Sequence, residues 1–203
     1  MYNAEQINMI KKWLGNGSID IFGRPFSGKD VQGIRLAELF NGILIGSGDI
    51  LRNSRAEKQT RTGQLTPTKE FFDIVLPYFR QKCPSDKSLI LSSVGRWHGE
   101  EDAVMTALEQ SGHPMTAVVY LDLSNDESHK RWLAREVNND RIGRHDDTEE
   151  VLDIRFNEFQ EKTIPVINYY EDLGILIRID GTQTRDKVTT DIINALGELA
   201  AKK

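Results

Sequence analysis

The stretch Ile19-Asp20-Ile21-Phe22-Gly23-Arg24-Pro25-Phe26-Ser27-Gly28-Lys29 decides the fold of this chain. A short apolar run, residues 19–22, predicts a buried strand, and residues 23–29 fit the pattern G-x-x-x-x-G-K at the start of a helical segment. In that context the N–H groups of the loop and of the helix start converge on one anion, and Lys29 adds a mobile positive charge. We therefore predict a loop that binds nucleotide phosphates. The alternative is a strand–turn–helix junction that merely contains Gly and Lys.

Strand and helix patterns alternate along the chain. Further short runs rich in Ile, Val and Leu, typical of strands buried on both faces, lie at residues 43–45, 88–91, 117–123 and 175–179. Helical patterns occupy residues 29–40, 68–82, 99–111, 126–137, 147–172 and 184–201. This alternation favours a parallel sheet with right-handed crossovers. The predicted fold is α/β: one three-layer P-loop NTPase-type domain, residues 1–203, with a five-stranded parallel sheet and flanking helices.

Residues 1–17 are predicted to form an extra N-terminal helix. Asn3 is placed to cap it, an apolar stripe that includes Ile7 and Ile10 recurs at helical spacing, and Gly15 ends it. The stripe favours packing on the core, and a dimer surface is the alternative.

The composition excludes several classes of protein. With 203 residues, 38% of them apolar, and a net charge of 26 − 31 = −5, the chain is typical of one globular domain and not of a disordered tail, a fibre or a coiled coil. No run approaches about 18 apolar residues, so we expect no membrane-spanning helix, and residues 1–17 do not resemble a secretory signal. The lone Cys83 excludes an internal disulfide framework and a Cys-rich zinc site, and the mild acidity argues against nucleic acid as a partner. We expect a cytoplasmic protein.

Four segments are similar to the adenylate kinase family of nucleoside monophosphate kinases. Residues 23–32 resemble its G-x-P-G-x-G-K-G-T-Q, and residues 46–52 resemble its S-T-G-D-x-L-R. Residues 144–150, followed by Arg155, resemble its G-R-x-D-D-x-x-E followed by R, and residues 163–170 resemble its T-x-P-[LV]-I-x-[YF]-Y. The first block is common among phosphate-loop proteins, whereas the second and third together are specific.

The resemblance implies transfer of the γ-phosphoryl group of Mg-ATP to a nucleoside monophosphate, with AMP as the expected acceptor and ADP as the product. It implies Mg²⁺ as the cofactor, no structural zinc, and a monomer whose partners are ATP and the monophosphate. Two alternatives stay open: a degenerate nucleotide-binding protein of the same fold, and a kinase whose acceptor carries a base other than adenine. A kinase for a non-nucleotide molecule is disfavoured by the block at residues 46–52.

The resemblance also implies roles for individual residues, because phosphoryl transfer needs permanently charged guanidinium groups that bind phosphate oxygens in pairs. The catalytic set is Lys29, Arg96, Arg135, Arg144 and Arg155. The ATP-binding set is Phe26, Ser27, Gly28, Lys29, Asp30, Val31, Arg131, Arg135 and Gln183. The set for the monophosphate is Ser47, Arg52, Gln64, Leu65, Thr66, Ser93, Gly95, Arg96, Glu100, Arg144 and Arg155. For each arginine the alternative is a solvated surface ion pair worth less than about 1 kcal/mol.

By the same resemblance, two segments are expected to close over the substrates. Residues 47–76 correspond to the acceptor-nucleotide lid, which is shortened between Arg52 and Gly63. Residues 136–146 correspond to the second lid, in a short form without cysteine, which is why no zinc is expected. A short polar lid would still exclude water from the transfer site.

The phosphate loop departs from the family pattern. Phe26, Asp30 and Val31 stand where the family has Gly, Gly and Thr, and Ser92 stands where it has an Asp that helps to hold Mg²⁺ through water. A carboxylate beside a triphosphate is repulsive unless a cation bridges them. We hypothesise that Asp30 replaces the missing carboxylate as a Mg²⁺ ligand from the opposite side of the site.

Glu100 is a further departure, four residues after Arg96, where the family's adenylate kinases have a Gln that reads adenine. An ionised Glu offers only acceptors, which suit N1–H and N2–H₂ of guanine better than N1 and N6 of adenine. The alternative is that Glu100 merely begins the following helix, where a negative charge is favourable.

Overall fold

Five strands form one parallel sheet in the computed structural model, which describes residues 2–54, 62–84, 86–134 and 148–202. The strands are β1 (Ser18–Gly23), β2 (Ile43–Gly46), β3 (Leu89–Ser92), β4 (Met115–Asp122) and β5 (Leu176–Asp180). Their order across the sheet is β2-β3-β1-β4-β5, and every neighbouring pair is parallel. The predicted α/β fold is thereby confirmed.

Helices cover both faces of the sheet. They are α1 (Ala4–Leu14), α2 (Lys29–Phe40), α3 (Ser47–Arg52), α4 (Thr68–Lys82), α5 (Glu101–Gln110), α6 (Asn125–Ala134), α7 (Glu149–Glu158), α8 (Ile164–Asp172) and α9 (Arg185–Ala201), with a π-turn (Phe159–Thr163) between α7 and α8. One face packs against α1, α2 and α9, and the other against α4, α5 and α8. Successive strand residues alternate between these two cores: Ile21 lies in the first and Phe22 in the second.

The N-terminal helix is held at both ends and along one face. Asn3 Oδ1 accepts a hydrogen bond from the N–H of Gln6 (2.8 Å), and Gly15 ends the helix with a φ of 53°. Ile7 and Ile10 are buried in the core that α1 shares with α9. The apolar stripe of α1 therefore packs on the core.

The helical prediction differs from the structure at two places. The single helix predicted over residues 147–172 is interrupted by the π-turn, just before Pro165 in the first turn of α8. Pro has no N–H to donate, so it belongs in a first turn and favours a break just before it. The short helix α3 was not predicted, since six residues give too little periodicity. Beyond Ala134, the helix predicted to reach residue 137 lies outside the described residues.

The sheet topology brings two loops to one edge. β1 and β3 are neighbours that pair Ile21 with Ser92, so the loop after Gly23 and the loop at 93–96 both leave the carboxyl edge beside each other. Ligands of open parallel sheets bind at this edge. Among the described residues, no helix is both long and apolar enough to cross a membrane.

Candidate active site

The predicted phosphate loop leaves β1 at Gly23 and turns sharply into α2. The Ser27 N–H donates to the carbonyl oxygen of Arg24 (3.1 Å), and Gly28 precedes α2 with a φ of 88°, which glycine adopts without strain. Lys29 is the first helical residue and is half-buried at a helix N-terminus, where free N–H groups favour an anion. The loop therefore has the strand–turn–helix geometry that phosphate binding requires.

Asp30 and Ser92 meet at the carboxyl edge of the sheet. Ser92 Oγ donates a hydrogen bond to Asp30 Oδ1 at 2.9 Å. Asp30 and Ser92 both differ from the family pattern, and the structure places them side by side. The carboxylate of Asp30 therefore lies next to the position where the family has its Asp. Carboxylate and hydroxyl oxygens suit Mg²⁺, which usually takes one or two carboxylates together with phosphate and water oxygens. The donor atoms at this position therefore fit Mg²⁺ bound with ATP.

Arg131 lies at the side of the site formed by the loop after β5. Its Nη2 donates to the carbonyl oxygen of Gly181 at 2.7 Å, and its Nε donates to Glu127 Oε1 at 3.2 Å. The side chain of Gln183 donates to Asp191 Oδ2 of α9 (3.0 Å). The structure thus brings Arg131 to the loop that carries Gln183, the other residue of the predicted ATP-binding set on this side.

A pocket lies between α3, the segment before α4, the loop after β3, and α7. Its lining is formed by Ser47, Gly48, Leu51, Arg52, Gly63, Gln64, Leu65, Thr66, Phe71, Ser93, Gly95, Arg96, Trp97, Glu100 and Arg155. Every residue predicted to bind the monophosphate is in this lining except Arg144, which lies outside the described residues. Phe71 was missed, because its apolar side chain gave no signal beyond the helical pattern of α4.

Side-chain hydrogen bonds hold the walls of this pocket together. Ser47 Oγ donates to the carbonyl oxygen of Ser93 (2.7 Å), which joins α3 to the loop after β3. The N–H of Leu65 donates to Glu158 Oε2 of α7 (2.9 Å), and Thr163 Oγ1 of the π-turn donates to the carbonyl oxygen of Arg96 (3.1 Å). The pocket is therefore built from segments distant in sequence.

Arg96 and Arg155 bring two positive charges close together in the pocket. Burial, and then the charge of Arg155, lower the pKa of Arg96 to about 10, against the opposing effects of Glu158 and Glu100. Arg96 still stays protonated at neutral pH. Its Nε is buried with no hydrogen-bond partner among the described residues. Two arginines that repel each other in one pocket are suited to an anion with several oxygens, such as a phosphate.

Unpartnered buried polar atoms concentrate at this part of the molecule. In the described residues eight buried side-chain atoms lack a partner, and four of them are Ser27 Oγ, Thr66 Oγ1, Arg96 Nε and Glu100 Oε1. Buried polar atoms are normally paired. Their concentration in the phosphate loop and the pocket indicates that a ligand supplies the missing partners.

Glu100 has a local structural role and also lines the pocket. It directly precedes α5, and its Oε2 accepts a hydrogen bond from the N–H of Trp97 at 3.2 Å. Burial raises the pKa of Glu100 to about 6, against the opposing hydrogen bonds of Thr68 and Trp97, and the charge of Glu101 adds to the increase. Both interpretations made from the sequence are therefore compatible with its position.

The structure gives weaker support for a site role of Arg52, and it does not describe Arg135 and Arg144. Arg52 lies in the pocket lining but pairs with Asp49, its neighbour in α3. Arg135, Arg144 and the predicted lid at 136–146 lie outside the described residues.

Sequence reasoning missed Arg24 and Asp20. The guanidinium group of Arg24 donates three hydrogen bonds to residues outside the phosphate loop. Asp20 is fully buried in β1, where Oδ2 accepts from the N–H of Val94 (3.0 Å) and so supports the loop that carries Arg96. Burial raises the pKa of Asp20 to about 8. The available signal was an acidic residue inside the apolar run 19–22.

Comparison with known proteins assigns the chain to a family. No family model matches it. The adenylate kinase of Kocuria rhizophila is 32% identical over 185 residues, which cover 87% of this chain and 96% of that protein. The adenylate kinase of Thermus thermophilus is 31% identical over 185 residues (89% and 97%), and that of Phocaeicola vulgatus is 29% identical over 194 residues (90% and 99%). These alignments cover most of the chain, and this chain belongs to the adenylate kinase family.

Proposed function

We propose that the chain is an ATP-dependent nucleoside monophosphate kinase that transfers the γ-phosphoryl group of Mg-ATP to AMP and yields ADP. The observation that carries the proposal is the arginine-lined pocket at the same sheet edge as the phosphate loop. Two anionic nucleotides can then meet with their phosphates between the N-terminus of α2 and the pocket arginines. The three relatives are named adenylate kinases, which agrees with this activity.

The proposed roles follow from the charges. The N–H groups at the start of α2 and Lys29 bind the ATP phosphates, and Arg52 and Arg96 bind the acceptor phosphate. Arg155, with Arg135 and Arg144 by resemblance, neutralises the group in transfer. Because the reaction needs little covalent chemistry from the protein, positioning and electrostatic stabilisation supply the catalysis and no acid–base pair is required.

Residues 47–76 are proposed as the acceptor segment. Support comes from the pocket lining, which includes α3, the residues before α4 and Phe71 of α4. Residues 136–146 remain the proposed second lid.

Mg²⁺ is the proposed cofactor, and the Asp30 carboxylate, oriented by Ser92, would hold it beside the ATP phosphates. When bound, Mg²⁺ neutralises phosphate charge. The same cation removes the repulsion that an ionised Asp30 would exert on ATP.

Replacing Asp30 with Ala is expected to lower kcat about 10- to 100-fold and to raise the free Mg²⁺ concentration for half-maximal activity, the range typical for a residue that supports a metal. The measurement is the initial rate of ADP formation against free Mg²⁺. Combining Asp30→Gly with Ser92→Asp moves the carboxylate to the family's position and is expected to recover most of the loss. Full Mg²⁺-dependent activity in Asp30→Ala contradicts the assignment.

The experiment that tests the function is phosphoryl transfer from Mg-ATP to AMP, GMP, CMP, UMP and dTMP. AMP is expected to give the highest kcat/KM. Transfer to another monophosphate in preference to AMP supports the non-adenine alternative. ATP binding without transfer to any acceptor supports the degenerate binding protein.

Replacing Glu100 with Gln is expected to raise kcat/KM for AMP about tenfold and leave GMP unimproved, since an amide can both donate to N1 and accept from N6 of adenine. In the wild type the AMP-to-GMP ratio falls as the pH rises through about 6, because Glu100 then loses its proton. The ratio in Glu100→Gln is flat over this range. The control is Glu109→Gln, an exposed glutamate of α5, the helix that Glu100 precedes. A loss of AMP turnover in Glu100→Gln with no pH dependence in the wild type refutes base reading by Glu100.

A cytoplasmic monomer is proposed as well. The support is the single Cys83, typical of a reducing compartment, and the burial of the apolar stripe of α1 on the core rather than on an exposed face.

A further inference from the structure

Three consecutive residues of the phosphate loop, Arg24, Pro25 and Phe26, contact helices and strands outside the loop. Arg24 donates from Nε to Asn125 Oδ1 (2.7 Å), from Nη1 to the hydroxyl of Tyr120 (2.8 Å) and from Nη2 to Gln160 Oε1 (3.0 Å). Its guanidinium carbon also lies 5.0 Å from the centroid of the Phe159 ring. All three nitrogens of this guanidinium group are thus engaged with side chains of α6, β4 and the π-turn.

The next two residues are held by α6 and α7. The carbonyl oxygen of Pro25 accepts a hydrogen bond from Ser128, a buried residue of α6. Phe26 packs against a small apolar cluster formed by Trp132 of α6 and by Leu152 and Phe156 of α7.

The backbone conformation of Phe26 is unusual for a residue with a side chain. Its φ is 61°, in the left-handed region, where a residue with a side chain is disfavoured by about 1–2 kcal/mol. Such a conformation persists only when the surroundings determine it, and it recurs at functional sites. The family has glycine at this position, so the strain and the aromatic anchor are properties of this chain.

The helices that hold the loop also carry arginines of the proposed site. Arg131 is in α6 and contacts the loop after β5, and Arg155 is in α7 and lines the acceptor pocket. The phosphate loop therefore packs directly against the two helices that carry these arginines.

We propose that Arg24 and Phe26 are positioning residues, which anchor the phosphate loop to α6, the π-turn and α7 and so hold it in the conformation that binds the donor phosphates. The inference rests on the proposed kinase function. It assigns to these side chains a role in donor binding without contact to the reacting atoms.

The test is a comparison of the two KM values in Arg24→Ala and in Phe26→Gly. The KM for ATP is expected to rise about tenfold, equivalent to ~1.4 kcal/mol, whereas the KM for AMP changes less than about twofold. A general structural defect would lower the amount of active enzyme and so reduce kcat without this split. Arg24→Lys is expected not to restore the KM for ATP, because one ammonium group cannot reach three separate acceptors.

The matched control is Arg178→Ala. Arg178 also lies over the ring of Tyr120 (5.1 Å) but forms its ion pairs with Asp122 and Glu171, so its removal is expected to leave the KM for ATP unchanged. If Arg24→Ala or Phe26→Gly fails to fold, Gln160→Ala removes one exposed acceptor of Arg24 and is expected to raise the KM for ATP about two- to fivefold. A KM for ATP within twofold of the wild type in Gln160→Ala and in every folded variant overturns the proposal.

Failure of the kinase function gives a different result. If the wild type binds ATP but transfers no phosphate, the same comparison is made with the dissociation constant of ATP measured by calorimetry, and the same tenfold increase is expected. A wild type that binds no ATP overturns both the proposed function and this inference. A wild type that is active, with variants unchanged in the KM for ATP, overturns the inference alone.

Discussion

Replacing Lys29 with Ala is expected to lower kcat for ADP formation by about 10²- to 10³-fold, the usual effect of removing one preorganised group that stabilises the transition-state charge. Lys29 is the first residue of α2 and stands at the helix N-terminus, where its ammonium group can follow the phosphoryl group between donor and acceptor. Because the reaction uses no acid–base pair that could compensate for the missing charge, the variant is expected to be slower in the phosphoryl-transfer step itself. The measurement is kcat with saturating Mg-ATP and AMP.

The matched control is Lys12→Ala, which removes an exposed ammonium group on α1, and its kcat is expected to equal that of the wild type. The affinity for ATP is measured separately by calorimetry, because the N–H groups at the start of α2 remain in the variant. A Lys29→Ala protein that keeps kcat within a factor of about three of the wild type refutes the electrostatic role assigned to this residue.

Asp20 is expected to make the folded protein less stable as the pH rises from about 4 to about 8. Burial raises its pKa from the ordinary 3.8 to about 8, so in this window the folded state holds a proton that the unfolded state has released. Its contribution to the free energy of unfolding is full below pH 4 and is lost as the pH rises, by at most about 1.4 kcal/mol per pH unit. The hydroxyl of Tyr170, also buried near Asp20, keeps its own proton because its pKa is raised.

Asp20→Asn is expected to remove most of this slope between pH 6 and 8. The amide can still accept from the N–H of Val94, and it places an N–H₂ group where Oδ1 has no partner among the described residues. Between pH 4.5 and 6 a smaller slope persists, since the pKa of Glu100 is raised as well. Urea unfolding at pH 5, 6, 7 and 8 gives the measurement, with the exposed Asp172→Asn as control. Equal slopes in the wild type and Asp20→Asn would show that Asp20 is ionised throughout.

The fold could be predicted because its signals are local. The apolar run before Gly23, the glycines of the loop and the helical pattern after Lys29 each act within a few residues, and the alternation of such units specifies a parallel sheet. The π-turn at Phe159–Thr163 could not be found in this way, because its residues continue the helical pattern on both sides.

The acceptor pocket was predictable for a different reason. Ser47, Arg52 and Arg155 stand in motifs whose chemistry needs them, so the resemblance placed them before any distance was available. The partners of these motifs were not predictable. Glu158, which receives the N–H of Leu65, lies 93 residues away in sequence and belongs to no motif.

The same limit applies to Arg24 and Asp20. Arg24 occupies a variable position of the loop pattern, and its three acceptors come from β4, the start of α6 and the π-turn. Asp20 lies within β1, between the apolar residues Ile19 and Ile21. Contacts between elements distant in sequence depend on tertiary packing, which periodicity and spacing do not report.

The hydrogen bond between Leu65 and Glu158 also bears on how substrates enter and products leave. Glu158 is held on its other side by Lys162, whose ammonium group lies 2.7 Å from both carboxylate oxygens and 3.9 Å from the centroid of the Trp97 ring. When the N–H of Leu65 departs, the carboxylate keeps its ion pair and is not left as a buried lone charge. Breaking this one contact between Leu65 and α7 therefore costs about the net free energy of one hydrogen bond, ~1 kcal/mol. If residues 47–76 move as the proposed acceptor segment, this contact can therefore break and re-form without leaving a charge unpaired inside the protein.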